Sequence, residues 1–210
     1  MMIDHALERI MANYVAARRT SALSADHPLW ALFKSLQTEF AGLRVVKRRP
    51  TLRIKWSMGQ GAWARIPWLG VLDERETNAT SRGIYVIYLF REDMSGVYLT
   101  FNQGVTEARA VQGSRDWRSF VCERADQLRD LCCNLPKRGF CLDNQIDLRT
   151  KASLGEDYAV ATIAHRFYAK ERFPNQDQLE GDLDALLKSY DKCITGGTRR
   201  KSTRELRRRD

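Results

Sequence analysis

The stretch 83–90, which reads GIYVIYLF, constrains the fold of this chain more than any other feature of its sequence. It is apolar nearly throughout and consists mainly of residues that favour β-strands. A strand of this kind is typical of the centre of a sheet with both faces covered, because a strand with one wet face alternates apolar and polar residues. The chain must therefore supply packing elements on both sides of a sheet.

Three further segments are dense in β-forming residues and predict strands near the central one: 51–58, 64–72 and 96–102. Gly59, Gln60 and Gly61 form the expected turn between the first two of these strands, and residues 92–96 form a turn before the last. A weaker alternation of apolar and polar residues over 140–148 predicts one more strand.

Apolar residues at three- and four-residue spacing predict helices on either side of the β-rich region: 3–19, 28–42, 115–133 and 176–193. The second of these is expected to take Asp26 as its N-cap, with Pro28 in its first turn and Gly42 at its end. The segment 158–170 fits a helix or a strand by its pattern, and we expect a helix.

Gly196 and Gly197 are predicted to end the last helix, and the basic segment after them has a single apolar residue, Leu206, to bury. We therefore expect that segment to be disordered. Together these patterns predict an α+β protein. Residues 1–195 form a single domain with a central mixed or antiparallel sheet flanked by helices, and residues 196–210 form a basic tail.

The composition is that of a globular protein, with 43% hydrophobic and 29% charged residues among 210. No apolar run approaches the ~18 residues that span a bilayer, and the N-terminus does not resemble a secretory signal. The five cysteines are odd in number, and two of them, Cys132 and Cys133, are adjacent. This usage is typical of reduced, packed thiols, so we expect a cytoplasmic protein without a membrane partner.

The formal net charge of +9 is concentrated in two clusters. Residues 197–210 contain seven basic and two acidic side chains, and residues 44–65 contain seven basic side chains and no acidic one. Basic clusters on an otherwise balanced chain indicate a polyanionic partner, although a merely solvated basic face is the alternative.

Several catalytic classes are excluded by missing motifs. No Gly-Lys dipeptide occurs, so a nucleotide-binding loop of the Gly-x-x-x-x-Gly-Lys type is absent. No lysine has an acidic residue two positions before it, which a restriction-type nuclease core requires. The three histidines, His5, His27 and His165, are far apart in sequence. We therefore expect no catalytic residue, no metal site of the usual spacing and no cofactor.

The segment 50–68, PTLRIKWSMGQGAWARIPW, combines basic side chains, three tryptophans and a Gly-x-Gly tip. Lysine and arginine neutralise phosphates, and an aromatic ring that stacks on a base contributes ~1–3 kcal/mol. Glycines allow a loop to turn sharply or to approach a groove. The segment predicts a nucleic-acid-binding hairpin; its structural alternative is a plain hairpin with tryptophans in the core.

The run SMGQGAWARIPWLGVLD at 57–73, followed by RGIYVIYLFREDMSGVYLTFNQGVT at 82–106, resembles the N-terminal DNA-binding domain of McrB-type restriction subunits, which act in modification-dependent (type IV) restriction. A Leu-Gly-x-x-Tyr segment at 154–158 and the late helix continue the similarity, which covers about residues 29–194. Two features depart from the family: Gln60 is not an aromatic tip residue, and the GTP-hydrolysing motor of McrB subunits is missing.

The resemblance implies a reader of double-stranded DNA that contains methyl- or hydroxymethylcytosine and rotates the modified base into a pocket. It places Trp68, Leu89 and Phe140 in that pocket and Gln60 in the vacated stack. Pro67 suggests that Trp68 lies on an edge strand or at a strand start. The expected DNA-contacting residues are Arg53, Lys55, Ser57, Gly59, Gln60, Gly61, Trp63 and Arg65.

A recognition module of this kind would need a separate nuclease or a GTP-hydrolysing motor subunit as its partner. Two other functions remain open from the residues alone. One is a nuclease with an unrecognised active site, and the other is a non-catalytic module that docks on RNA or on another protein.

Overall fold

The structure, a computed structural model, describes residues 2–206, with side chains for 2–113 and 115–196. Its helices are α1 (Ile3–Thr20), α2 (Pro28–Gly42), α3 (Arg44–Lys47), α4 (Val105–Arg129), α5 (Ser153–Val160) and α6 (Gln176–Leu206). Its strands are β1 (Leu52–Gln60), β2 (Ala62–Asp73), β3 (Ile84–Phe90), β4 (Gly96–Gln103) and β5 (Thr162–Ala169).

The five strands form one antiparallel sheet in the order β1-β2-β3-β4-β5. The predicted α+β class with a central sheet flanked by helices is confirmed. The four strands predicted from 51 to 102 are present, and β3 is the central strand, with every residue buried. Its burial on both faces explains why its sequence does not alternate.

The two faces of the sheet are covered by different parts of the chain. One face packs against α1, α2 and α6, and this side holds the main core. The opposite face, which we call the second face, carries a smaller cluster centred on Ile87 and Leu89. Its cover comes from α5 and from residues 141–152, which we call the cover segment; Ile146 and Leu148 pack in this cluster.

Two sequence-based assignments are wrong. Residues 140–148 do not form a strand, apart from an isolated bridge between Cys141 and His165, because Ile146 and Leu148 pack onto the sheet instead of extending it. Residues 158–170 are not a helix: α5 ends at Val160 and β5 follows. The open edge of β4 provides backbone hydrogen-bond partners for this segment. Pairing with β4 therefore makes it a strand, although its own sequence pattern fits either a helix or a strand.

Three helix boundaries also differ from expectation. His27 caps α2 in place of Asp26, since its Nδ1 accepts a hydrogen bond from the Leu29 N–H at 3.1 Å. Helix α4 begins before the predicted 115, with a break at Gly113, whose φ is 77°. Helix α6 continues through Gly196 and Gly197, because an isolated glycine pair costs a helix only about 1 kcal/mol per residue. The backbone of the predicted tail is therefore helical up to Leu206, and residues 207–210 lie outside the described part.

Candidate nucleic-acid interface

The tip of the β1–β2 hairpin depends on two glycines with positive φ. Gly59 has a φ of 122°, and a Cβ at this position would lie 1.9 Å from the Ala62 carbonyl oxygen. Gly61 has a φ of 70°, but a Cβ there would meet open space. Gln60 is exposed between them. The predicted turn is confirmed, and it holds the Gln60 side chain outward at the end of the hairpin.

A break in the β1–β2 ladder lies directly behind this tip. The pairing changes register between Ser57 and Gly59, so that several residues of β2 face a single residue of β1. The Tyr14 hydroxyl of α1 fills the gap, at 3.1 Å from the Met58 carbonyl oxygen and 2.9 Å from that of Ala64. The hairpin end is therefore fixed to α1 by a side chain and not by regular strand pairing.

Two of the three hairpin tryptophans attach the hairpin to the helices. The Trp63 Nε1–H donates to the Ser21 carbonyl oxygen at 2.8 Å, and its ring packs edge-on against Tyr14 and His27. Trp56 stacks on Phe33. The structure thus gives Trp63 a structural anchoring contact, and nothing in this geometry supports the DNA contact predicted for it.

The predicted cationic residues of β1 lie on the second face. Arg53, Lys55 and Ser57 are the cross-strand partners of Leu72, Gly70 and Trp68. Directly opposed residues of antiparallel strands point to the same face. Leu72 belongs to the second-face cluster, so Arg53, Lys55 and Ser57 project on that side at the edge of the sheet.

Each of the basic side chains already has a partner in the protein. Arg53 pairs with Glu74 at 2.7 Å, and the Lys55 Nζ donates to the Asn78 carbonyl oxygen at 2.5 Å. Arg65, with 61% of its side chain exposed, lies 3.4 Å from Glu92. The exposed ion pairs of Arg53 and Arg65 are weak, and the partner of Lys55 is an uncharged carbonyl, so phosphate groups can compete for these cations.

The second face carries a continuous row of residues across all five strands. Successive cross-strand partners are Ser57, Trp68, Leu89, Tyr98 and Phe167. The structure therefore brings together two of the three predicted pocket residues, with the polar edge of β1 at one end of the row. Tyr98, which sequence reasoning missed, lies directly across from Leu89. The alternation of residues in VYLTF could have indicated which face of the sheet Tyr98 is on.

Trp68 is half-buried, as are Ser57 and Phe167 at the two ends of the row. Gly70, two residues later, lies beside the indole: a Cβ there would be in ordinary contact with the Trp68 ring at 3.5 Å and tighter against Leu72 at 3.0 Å. No hydrogen bond engages the Trp68 indole N–H within the described residues. The sequence predicts an edge strand or a strand start at Pro67, and this prediction is wrong. Pro67 lies inside β2, where the missing proline N–H is tolerated because the β1–β2 ladder is broken and the β2–β3 ladder begins only at Trp68.

Phe140 does not join the other two predicted pocket residues. It packs in the main core, and its backbone N–H donates to the Leu135 carbonyl oxygen at 3.3 Å. The turn at 135–140 folds the ring towards Cys132 and the helices, which the weak sequence similarity at this point did not reveal.

Leu89 is fully covered by the second-face cluster. The cover segment is held over this cluster by three hydrogen bonds around Asp147 and Leu148: Arg91 Nε donates to the Asp147 carbonyl oxygen, the Asp147 N–H to the Tyr98 hydroxyl, and the Glu92 N–H to the Leu148 carbonyl oxygen. Their donor–acceptor distances are 2.8, 3.2 and 2.9 Å. A ligand that reaches Leu89 must therefore displace part of the cover segment.

This arrangement defines a class of protein. An antiparallel sheet flanked by helices presents a glycine-tipped hairpin, edge cations and a half-buried tryptophan on one side, which are the components of a nucleic-acid-binding module. No helix within residues 2–206 is long and apolar enough to cross a membrane.

The chain belongs to the family described as MrcB-like, N-terminal domain, whose sequence model matches residues 9–195. This confirms the resemblance to the N-terminal domain of McrB-type systems and supports a DNA-binding module of such a restriction system. The match includes the whole hairpin, the row of second-face residues and the cover segment. No curated protein matches the chain.

Proposed function

We propose that this chain recognises double-stranded DNA that contains methyl- or hydroxymethylcytosine and holds the modified base, flipped out of the duplex, against Trp68. The observation that carries the proposal is the shared face of the sheet: Arg53, Lys55, Trp68 and Leu89 all project on the second face. Phosphate-binding and base-binding side chains are thereby within reach of one duplex.

The cations of the hairpin bind the backbone of the duplex. Arg53, Lys55 and Arg65 exchange their protein partners for phosphates, which releases counterions and makes binding salt-dependent. Gln60 enters the space left by the flipped base. Its amide hydrogen-bonds the orphaned partner base, although it stacks less well than an aromatic residue would.

The base pocket forms beside Trp68. Extruding a base costs a few kcal/mol, and stacking on an indole returns about 1–3 kcal/mol of this. A buried methyl carbon adds at most about 1 kcal/mol, so discrimination requires a close fit around it. Leu89 supplies the apolar floor once Ile146 and Leu148 move aside, and Tyr98 takes the place of the aromatic wall that Phe140 was expected to form.

We further propose that the chain recognises DNA without cutting it. A partner subunit, either a nuclease or a GTP-hydrolysing motor that acts with a nuclease, brings about the cleavage in the cytoplasm, where unpaired thiols such as those of this chain are stable. Metal-dependent cleavage of modified plasmid by the pure chain, lost on a point substitution in it, would contradict this division of labour.

The test is a binding titration with matched duplexes that differ only in one base: cytosine, methylcytosine, hydroxymethylcytosine or methyladenine. The flanking sequence is randomised in a first round, and an RNA duplex of the same sequence is included. The proposal requires at least about tenfold tighter binding to one of the modified-cytosine duplexes than to the cytosine duplex. Equal affinity for all DNA duplexes, or a preference for RNA, would contradict it.

A further inference from the structure

We propose that Cys141, Asp143 and His165 form a binding site for a divalent metal ion of the zinc type. The cysteine sulfur, a carboxylate oxygen and an imidazole nitrogen of these residues all lie within 4.8 Å of one another. Thiolate, carboxylate and imidazole are the ligands that zinc takes in proteins. Three protein ligands leave a fourth tetrahedral position for water.

The backbone brings the three residues together. Cys141 and His165 exchange two hydrogen bonds: the Cys141 N–H donates to the His165 carbonyl oxygen at 2.8 Å, and the His165 N–H to that of Cys141 at 2.9 Å. This bridge fixes the start of the cover segment beside β5. Asp143 follows two residues later, with its Oδ1 2.8 Å from the His165 Nε2.

The His165 ring presents its Nε2 to the cluster. The residue is only 7% exposed, and its Nε2 is the nitrogen that contacts the Asp143 carboxylate. The buried Nδ1 has no hydrogen-bond partner within the described residues. In a neutral imidazole one nitrogen carries the proton and the other a lone pair. An ion that takes the place of the proton between Nε2 and the carboxylate would be bound by both groups, with the ring proton on Nδ1.

The site is open to an ion from solvent, because Cys141 is exposed and Asp143 is half-buried. A bound ion would tie the cover segment to β5, next to Tyr98, whose ring packs edge-on against His165 with 5.7 Å between centroids. Its effect would be to hold the cover segment in place. It would stabilise the cover over the second face, whatever the chain binds there.

The experiment uses the full chain after removal of bound metal with a chelator. Co²⁺ is titrated as a spectroscopic probe, since a thiolate bound to Co²⁺ gives a charge-transfer absorption that a carboxylate–imidazole site lacks. We expect this band to saturate at one equivalent and to disappear when Zn²⁺ is added. Cys141→Ser should abolish it. Cys133→Ser, which removes an exposed thiol outside the cluster, should leave it unchanged.

A second readout is the melting temperature. Zn²⁺ should raise it in the unmodified chain and in Cys133→Ser, because a ligand that binds only the folded state stabilises that state. It should leave Cys141→Ser unchanged, and Asp143→Asn should bind about tenfold more weakly or worse. The proposal is overturned by the absence of a thiolate–Co²⁺ band in the unmodified chain. Persistence of the band in Cys141→Ser, or a Zn²⁺ affinity unchanged in Asp143→Asn, would overturn it equally.

Discussion

Trp68 and Leu89 are direct cross-strand partners at the point where the β2–β3 ladder begins, with their side chains on the second face. The pair joins a half-buried indole to a fully buried aliphatic side chain. Ser57 stands on the other side of Trp68, so the polar edge of β1 leads directly to the indole. This geometry places the indole of Trp68 beside the polar edge of β1 on the second face.

The hairpin tip should tolerate a methyl group at one glycine and not at the other. Gly59→Ala places a Cβ against the Ala62 carbonyl oxygen and should weaken DNA binding strongly and destabilise the fold by about 2 kcal/mol or more. Gly61→Ala meets open space and should cost only about 1 kcal/mol, from its positive φ. Urea denaturation and a binding titration of both variants measure the difference; equal effects would show that the close approach at Gly59 is unimportant.

The chain should lose stability in alkaline solution. Burial raises the pKa of Tyr158 to about 12 and also raises the pKa of Tyr14 and Tyr190 above its usual value near 10. As the pH rises, these tyrosine hydroxyls therefore ionise in the unfolded chain before they ionise in the folded one. The stability that these groups contribute is complete below about pH 10 and is lost above it, by up to about 1.4 kcal/mol per pH unit for each group.

Denaturation curves at pH 8 and pH 11, recorded together with tyrosinate absorbance, check this dependence. Absorbance of the buried tyrosines should increase with unfolding. An increase near pH 10 in protein that is still folded would contradict the assigned burial effect.

The salt dependence of binding should identify the phosphate contacts. Arg65→Gln removes an exposed cation beside the hairpin and should reduce the slope of log affinity against log salt by about 0.9. Lys188→Gln is the matched control, because this lysine is similarly exposed but lies on α6. The two variants should differ in slope while both melt within a few degrees of the unmodified chain. An unchanged slope for Arg65→Gln would exclude this contact.

Removal of the basic C-terminal segment should lower affinity without changing preference. Residues 197–210 carry seven basic side chains, and deleting them should weaken binding to all duplexes by a similar factor. The ratio of affinities for modified and unmodified DNA should stay constant. A shortened chain that binds both duplexes equally would show that this segment takes part in recognition.

Much of the fold could be predicted from local patterns. The apolar run at 83–90 identified the central strand, and the glycine pair around Gln60 identified the hairpin turn. The pattern of 158–170 did not decide between helix and strand, because β5 exists through its pairing with β4 and not through its own sequence. The N-cap of α2 was predicted wrongly for a related reason. His27 and Asp26 can both accept a hydrogen bond from the Leu29 N–H, and their sequence does not decide between them.

The site was less predictable than the fold. The sequence resemblance proposed Trp68, Leu89 and Phe140 as pocket residues. Strand pairing places the first two side by side on the second face, whereas Phe140 packs in the main core. The contact of Tyr14 with the hairpin could not be predicted, because its hydroxyl hydrogen-bonds a backbone carbonyl about fifty residues further along the chain. The Cys141, Asp143 and His165 cluster was hidden for the same reason: a bridge between two segments places these side chains together.

The most direct test of modified-base recognition is the affinity of Trp68→Ala for two duplexes that differ only in the cytosine modification. The variant must first be shown to be folded by circular dichroism and melting temperature, with Trp56→Phe, which alters the opposite face, as the control. We predict that Trp68→Ala loses about 1–3 kcal/mol of binding to the modified duplex and much less to the unmodified one, whereas Trp56→Phe keeps the preference. A folded Trp68→Ala variant that retains the full preference for modified DNA would contradict the account.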